Sequence, residues 1–246
     1  MKYSFKKRKI LKRPFPILII KDFINKINQN KIIKEILNVK KKIDVEKVMG
    51  GRYQYSNHLF KKNESCNDIH DYFNKKETFE KILEFIDNDK NQFQIKDNQY
   101  KKFLKKTNFL HFLTKKFFPS LLKNSFFLEM DFSVAKNNYF REPHHDKDTR
   151  ILSFLIYLNN TKNSNGGSLE IYEFKKNYKK SFERFPKKSN LKLYKKIKPR
   201  FGQFIAFISS PDSIHGVEKF IAKNNEKRIF LYGSYTAFNK VNWIKI

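Results

Sequence analysis

Cysteine is nearly absent: Cys66 is the one thiol in 246 residues. That excludes an intramolecular disulfide framework and a thiolate zinc site, and it fits a reducing compartment without requiring one. Long apolar runs are missing as well. A basic run, Lys6-Lys7-Arg8-Lys9, precedes the apolar stretch Phe15 to Ile20, but that stretch stops at Lys21-Asp22 with no small-residue cleavage site after it. The longest later run, Ile151 to Leu158, is far below the roughly 18 residues of a membrane span. No membrane insertion is expected, and a cytoplasmic location is the default. Acidic residues are scarce, 24 against 53 Lys and Arg, for a net charge of +29. Such an excess invites a nucleic-acid or anionic-membrane partner, because dense cations release counterions from polyphosphate surfaces. Nearly all of it is Lys, however, accompanied by abundant Asn and Ile, the set that AT-rich codons yield without selection for binding. Only weak, non-specific nucleic-acid binding is expected.

What is present supports a folded domain. Hydrophobic residues make up 39% of the chain and 27 are Phe, enough for a sizeable core despite the high charge. The length suits a single domain, 1–246, whose globular part begins near Pro14. Pro14 to Ile20 reads as a short buried strand, and Asp22 as the cap of a helix carrying Phe23, Ile27, Ile33, Ile36 and Leu37. After Gly50-Gly51 a second helix is predicted over 68–85, and two shorter ones over 97–106 and 109–122. From Phe126 onward apolar segments alternate with turn clusters, giving eight predicted strands at 126–134, 140–146, 150–158, 168–174, 191–198, 203–209, 213–220 and 228–236. The layout is a mainly helical support region, 14–125, followed by an antiparallel barrel, 126–246. Charge is not spread evenly along this layout. Residues 1–50 hold 13 Lys and 2 Arg against 4 acids, and residues 175–200 hold 12 basic residues against Glu183. In the second block Phe174, Tyr178, Phe182 and Phe185 are spaced as one helix face, so an amphipathic insertion packing on the barrel is preferred to a nucleic-acid surface.

The chemistry concentrates in Glu142-Pro-His-His-Asp146. Residues two apart on a strand share a side, so His144 and Asp146 can hold one metal while His145 faces away. A third ligand, His215, lies 71 residues later in Ser213-Ile-His-Gly-Val217, at the start of another predicted strand. Two histidines and one carboxylate on adjacent strands form the facial triad of non-haem iron(II) oxygenases, which leaves open positions for co-substrate and dioxygen. Downstream run Arg150-Ile-Leu-Ser-Phe-Leu-Ile-Tyr-Leu-Asn159, Gly166-Gly-Ser-Leu169, Pro199-Arg-Phe-Gly202, His215-Gly-Val217 and Lys227-Arg-Ile-Phe230.

This succession resembles the prolyl 4-hydroxylase-like branch of the iron(II)/2-oxoglutarate oxygenases, and the resemblance extends to the N-terminal strand and helix. It implies an α+β fold with N-terminal helices packed on a double-stranded β-helix (jelly-roll) barrel. It implies Fe(II) held by His144, Asp146 and His215, with 2-oxoglutarate and dioxygen as co-substrates. The distal carboxylate of 2-oxoglutarate would pair with the planar fork of Arg228 and with the hydroxyl of Tyr157. Arg228 lies 13 residues past His215, and Lys227 is the neighbouring alternative, though strand alternation points it outward. The activity implied is hydroxylation of a protein side chain or small molecule with release of succinate and carbon dioxide. A carboxylate at 146, where halogenating members carry a small residue, argues for hydroxylation or desaturation. The rival readings are a non-catalytic barrel that binds anionic surfaces through its lysines and a cupin-type enzyme that does not use 2-oxoglutarate.

Overall fold

The computed structural model describes residues 3–56, 63–87, 93–95, 102–105, 122, 124–162, 165–175, 183–223 and 226–245. Its strands are β1 (Arg8–Leu11), β2 (Ile17–Ile20), β3 (Ile43–Val45), β4 (Arg52–Ser56), β5 (Phe93–Ile95), β6 (Lys102–Phe103), β7 (Ser125–Ala135), β8 (Arg141–His144), β9 (Arg150–Tyr157), β10 (Leu169–Phe174), β11 (Leu191–Ile197), β12 (Phe204–Ile208), β13 (His215–Val217), β14 (Arg228–Ala237) and β15 (Trp243–Lys245). The helices are α1 (Gln29–Asn38), α2 (Glu64–Phe73) and α3 (Lys76–Asp87). A large sheet runs in the order β1-β2-β12-β9-β14-β7-β4-β3, with β6 beside β7; a small sheet runs β11-β10-β13-β8. Apart from the β6–β7 pair, these neighbours are antiparallel. The two sheets face each other in the manner of a jelly roll. β5 and β15 form a separate pair.

Period-two alternation assigns each central strand two different jobs. On β9, Leu152, Phe154 and Ile156 join a core shared with α1, α2 and α3, while Leu155 and Tyr157 join a second core between the sheets. On β12 the same division separates Phe204, Ala206 and Ile208 from Ile205 and Phe207. Both faces are therefore apolar, which is why these strands read as continuous hydrophobic runs. Phe73 of α2 stacks on Phe154 at 4.4 Å and 17°, and the Tyr235 hydroxyl of β14 donates to the Phe73 carbonyl at 2.7 Å. Gly233 is required by this packing, since a Cβ there would stand 2.2 Å from the Phe154 ring.

All eight strands predicted after residue 125 are present. The N-terminal half differs more. It contributes β1, β2, β3, β4 and β6 to the large sheet, and pairing begins ahead of Pro14, with a Tyr3–Ile24 bridge and then β1 from Arg8. The basic run was not recognisable as a strand because β1 is an edge, where exposed Lys and Arg block further pairing. Asp22 caps no helix: it has φ 56°, its carboxylate accepts from Lys7, and α1 starts only at Gln29 after a short 3-10 turn whose cap is Asn25. Ile27 is consequently exposed. The predicted helix over 68–85 is two helices broken at Asn74–Lys75. The first of them begins at Glu64, because the Glu35 carboxylate of α1 accepts from the backbone N–H groups of Ser65 and Cys66 at 3.2 and 2.9 Å. A capping carboxylate from another helix leaves no local signature. Within the predicted 97–106 helix, Lys102 and Phe103 are a strand; the rest of it apart from Leu104 and Lys105, and all of 109–121, lie outside the described residues. So do 176–182; of the four aromatics spaced as one helix face, Phe174 ends β10 and Phe185 lies in a bend, outside any helix.

Candidate metal and carboxylate site

His215 on β13 is the register partner of His144 on β8, which brings the two imidazoles side by side with ring centroids 4.6 Å apart. Asp146 follows β8 just ahead of a turn closed by the Arg150 N–H on the Lys147 carbonyl at 2.8 Å. One donor atom from each of His144, Asp146 and His215 lies within 4.8 Å of the others, and all three residues are buried. His215 Nε2 and Asp146 Oδ2 are 4.0 Å apart. His145, as expected, is not in the set; its Nδ1 is 2.8 Å from the Asp146 carbonyl.

The surroundings fix which nitrogen is free. His144 Nδ1 is 2.7 Å from the Glu142 carbonyl and His215 Nδ1 is 2.9 Å from the Ser213 carbonyl. A carbonyl only accepts, so each Nδ1 carries the proton and each Nε2 presents a lone pair to the shared space, the arrangement of a metal-binding histidine. Burial, with help from His215, pushes the His144 pKa down to about 3, and burial lowers that of His215 too. Burial alone would raise the Asp146 carboxyl. The Arg150 guanidinium, helped by the Ser153 hydrogen bond, outweighs it and holds the group well below the usual range. Arg150 donates to Asp146 Oδ1, Ser153 donates to Oδ2 at 2.6 Å, and the Tyr232 hydroxyl reaches Oδ1 at 3.3 Å. The result is two neutral imidazoles and one oriented carboxylate, a donor set suited to iron(II).

Deeper between the sheets lies a second polar focus. Arg228, the first residue of β14, is 1% exposed, and its Nε donates to the Gly167 carbonyl at 2.8 Å. Its Nη1 and the Tyr157 hydroxyl are both buried with no hydrogen-bond partner among the described residues. The guanidinium carbon stands 4.4 Å from the Phe230 ring centre and 5.4 Å from that of Tyr157. Gly167, at φ 77°, lets the backbone pass so close that a Cβ would come within 2.9 Å of Arg228 Cδ. Two unsatisfied buried donors side by side fit a carboxylate that both can grip. Lys227 is exposed, as alternation requires. The Arg228 guanidinium carbon also stands 5.9 Å from the ring centre of Tyr139.

Several site residues carried no role in the sequence reading. Ser153 and Tyr232 could have been found, since alternation places them on the same faces as Tyr157 and Arg228. Arg141 could not. Val217 pairs with Arg141 while His215 pairs with His144, so three residues of β13 stand against four of β8. This irregularity turns the Arg141 guanidinium to within 3.4 Å of His144 Nε2. Phe185, expected on the face of an insertion helix, instead stacks over the His144 ring at 5.7 Å and 24° while remaining 51% exposed.

Residues 130–233 match the family model described as the 2OG-Fe(II) oxygenase superfamily. That span contains His144, Asp146, His215 and Arg228. Fe(II), 2-oxoglutarate and dioxygen are accordingly its cofactor and co-substrates. Among solved structures, the non-heme alpha ketoglutarate dependent epimerase SnoN from nogalamycin biosynthesis superposes with TM-score 0.54 at 8% identity, over 90% of this chain and 76% of that one. That likeness is one of fold. A Pseudomonas putida prolyl-4-hydroxylase gives TM-score 0.47 at 14% identity, over 91% and 93% of the two chains. The viral collagen prolyl hydroxylase of Paramecium Bursaria Chlorella virus-1, in its 2OG complex, gives 0.49 at 12%, over 91% and 96%. No curated protein sequence matches the chain. Among the described residues no helix is long and apolar enough to cross a membrane.

Proposed function

We propose that this chain is a 2-oxoglutarate-dependent hydroxylase acting as one oxygenase unit over its whole length, with His144, Asp146 and His215 as the iron ligands. The observation that carries the proposal is the convergence of three buried donors whose Nδ1 atoms are already committed to backbone carbonyls. Arg228 and Tyr157 take the distal carboxylate of 2-oxoglutarate, the one partner that satisfies both orphaned donors. Burial raises the Tyr157 pKa although Arg228 pulls it back, so the hydroxyl stays protonated and donates. With iron and 2-oxoglutarate bound, the site supplies dioxygen-driven oxidation of a substrate C–H bond, releasing succinate and carbon dioxide. Ser153, Arg150 and Tyr232 orient the Asp146 carboxylate, and Phe207, 4.8 Å from the His215 ring centre, keeps the interior apolar. The α2 and α3 helices support β9 and β12 from behind. The substrate enters over the metal, past the segments following Val134 and Glu173, and is a protein side chain or a small molecule.

The test is succinate release. The purified protein should bind one iron(II) and slowly decarboxylate 2-oxoglutarate without substrate. A protein that binds neither iron nor 2-oxoglutarate would point to the non-catalytic barrel.

A further inference from the structure

Charge within the metal site does not close. Asp146 neutralises Arg150, and Glu46 pairs with Arg141 at 2.8 Å. Arg228 is assigned to 2-oxoglutarate. Arg184 is left with no acidic partner among the described residues. It belongs to the basic 175–200 block, yet it does not float on the surface. Its carbonyl accepts from the His145 N–H at 3.1 Å, and its guanidinium lies 5.0 Å from the ring centre of Phe185, which itself covers His144. The segment is thus pinned onto the strand that carries the metal ligands.

Two guanidinium donors in this corner are orphaned. Arg184 Nε and Arg150 Nε are both buried without a hydrogen-bond partner among the described residues. Burial, and then the neighbouring Arg150 charge, lower the Arg184 pKa, while Asp146 pulls the other way. Two buried guanidinium N–H groups without partners, one on the residue that holds Asp146 and one on the segment bonded to His145, are stabilised by an anion that takes them up.

We infer that Arg184 and Arg150 form an anion subsite beside the metal, and that the primary substrate carries a carboxylate which docks there. This rests on the oxygenase reading above and goes beyond it, since neither iron nor 2-oxoglutarate requires these two donors. A carboxylate matches the planar fork of a guanidinium, and it sets the oxidised carbon a short, fixed distance from the charge. Phe185 supplies the apolar wall against which the rest of such a substrate lies. The carboxylate is that of a free acid or that of an acidic side chain, and the assay distinguishes them.

The protein loaded with zinc(II), which cannot turn over, is first titrated calorimetrically with 2-oxoglutarate. Absence of binding at this step counts against the oxygenase reading itself. With 2-oxoglutarate saturating, the probes are the free amino acids and small mono- and dicarboxylic acids, each against its carboxamide, together with end-blocked Asp and Glu peptides against their Asn and Gln counterparts. The expected result is at least one acid that binds tenfold or more tightly than its amide. Arg184→Gln should erase that preference, Arg184→Lys should keep part of it, and the exposed Lys195→Gln should keep all of it. Selectivity among the free acids identifies a small-molecule substrate, and selectivity among the peptides an acidic protein segment. The inference is overturned if no acid binds, or if acids and amides bind alike. It is also overturned if a phosphate monoester outcompetes every acid, or if Arg184→Gln weakens 2-oxoglutarate as much as it weakens the acid.

Discussion

The two polar foci between the sheets are built on opposite plans. At the metal end each of the three ligands has its partners within the protein: both Nδ1 atoms meet carbonyls, and the Asp146 oxygens accept from Arg150, Ser153 and Tyr232. The ligands keep for a metal their Nε2 lone pairs, that of His144 with Arg141 3.4 Å away, and the open side of the carboxylate. At the carboxylate end Arg228 Nη1 and the Tyr157 hydroxyl are buried and unspent. The first focus is oriented before anything binds, while the second is a standing cost that a ligand removes. The metal end should therefore lose function when a donor is deleted, and the carboxylate end should lose affinity.

The largest effect expected is at the metal end. His144→Ala, Asp146→Ala and His215→Ala should each abolish iron(II) binding and 2-oxoglutarate turnover, and full retention of both by any one of them removes that residue from the ligand set. At the other end Arg228→Ala should raise the 2-oxoglutarate requirement at least tenfold, in keeping with the roughly 2–5 kcal/mol lost when a buried charge pair is broken. Iron binding should hardly change. A normal requirement in Arg228→Ala, with a large effect from Lys227→Ala, would place the wrong strand face in the interior.

The contrast also predicts a pH dependence. Both ligand histidines have lowered pKa values in the folded chain, His144 from 6.5 to about 3. Between those values the unfolded chain binds protons that the folded one refuses. Their contribution is thus fully present above about pH 6.5 and is lost as pH falls toward 3. Melting of the metal-free protein should fall over this window, and His144→Gln should flatten the slope; an unchanged slope would mean that the histidine is not held neutral. Tyr157→Phe removes one hydrogen bond to a charged carboxylate, about 1.5–3 kcal/mol, and should weaken 2-oxoglutarate roughly tenfold or more without touching iron. The smallest effect belongs to the exposed Lys187 and Lys188. Reversing their charge should leave catalysis nearly intact and only diminish a nucleic-acid binding that already collapses as salt rises. Tight binding at physiological salt that stimulates succinate release would instead make nucleic acid the substrate.

The sequence by itself determined those features that depend on spacing along one strand. His144 and Asp146 sit two apart, and the apolar segments of β7 to β14 are each bounded by turn residues. Arg228 rather than Lys227 turns inward by alternation, so the metal cluster and the buried arginine were legible before any coordinates. Tertiary structure alone decided what depends on one segment meeting another. Glu35 starts α2 from a different helix, and an edge strand forms from a basic run because β2 offers it a partner. An irregular β8 brings Arg141 to His144 Nε2, and a loop from the lysine-rich block lays Phe185 on His144 and leaves Arg184 without an acidic partner among the described residues. Local spacing records which way a side chain points from its own backbone, but the identity of what it then faces is set by the register and crossing of distant segments.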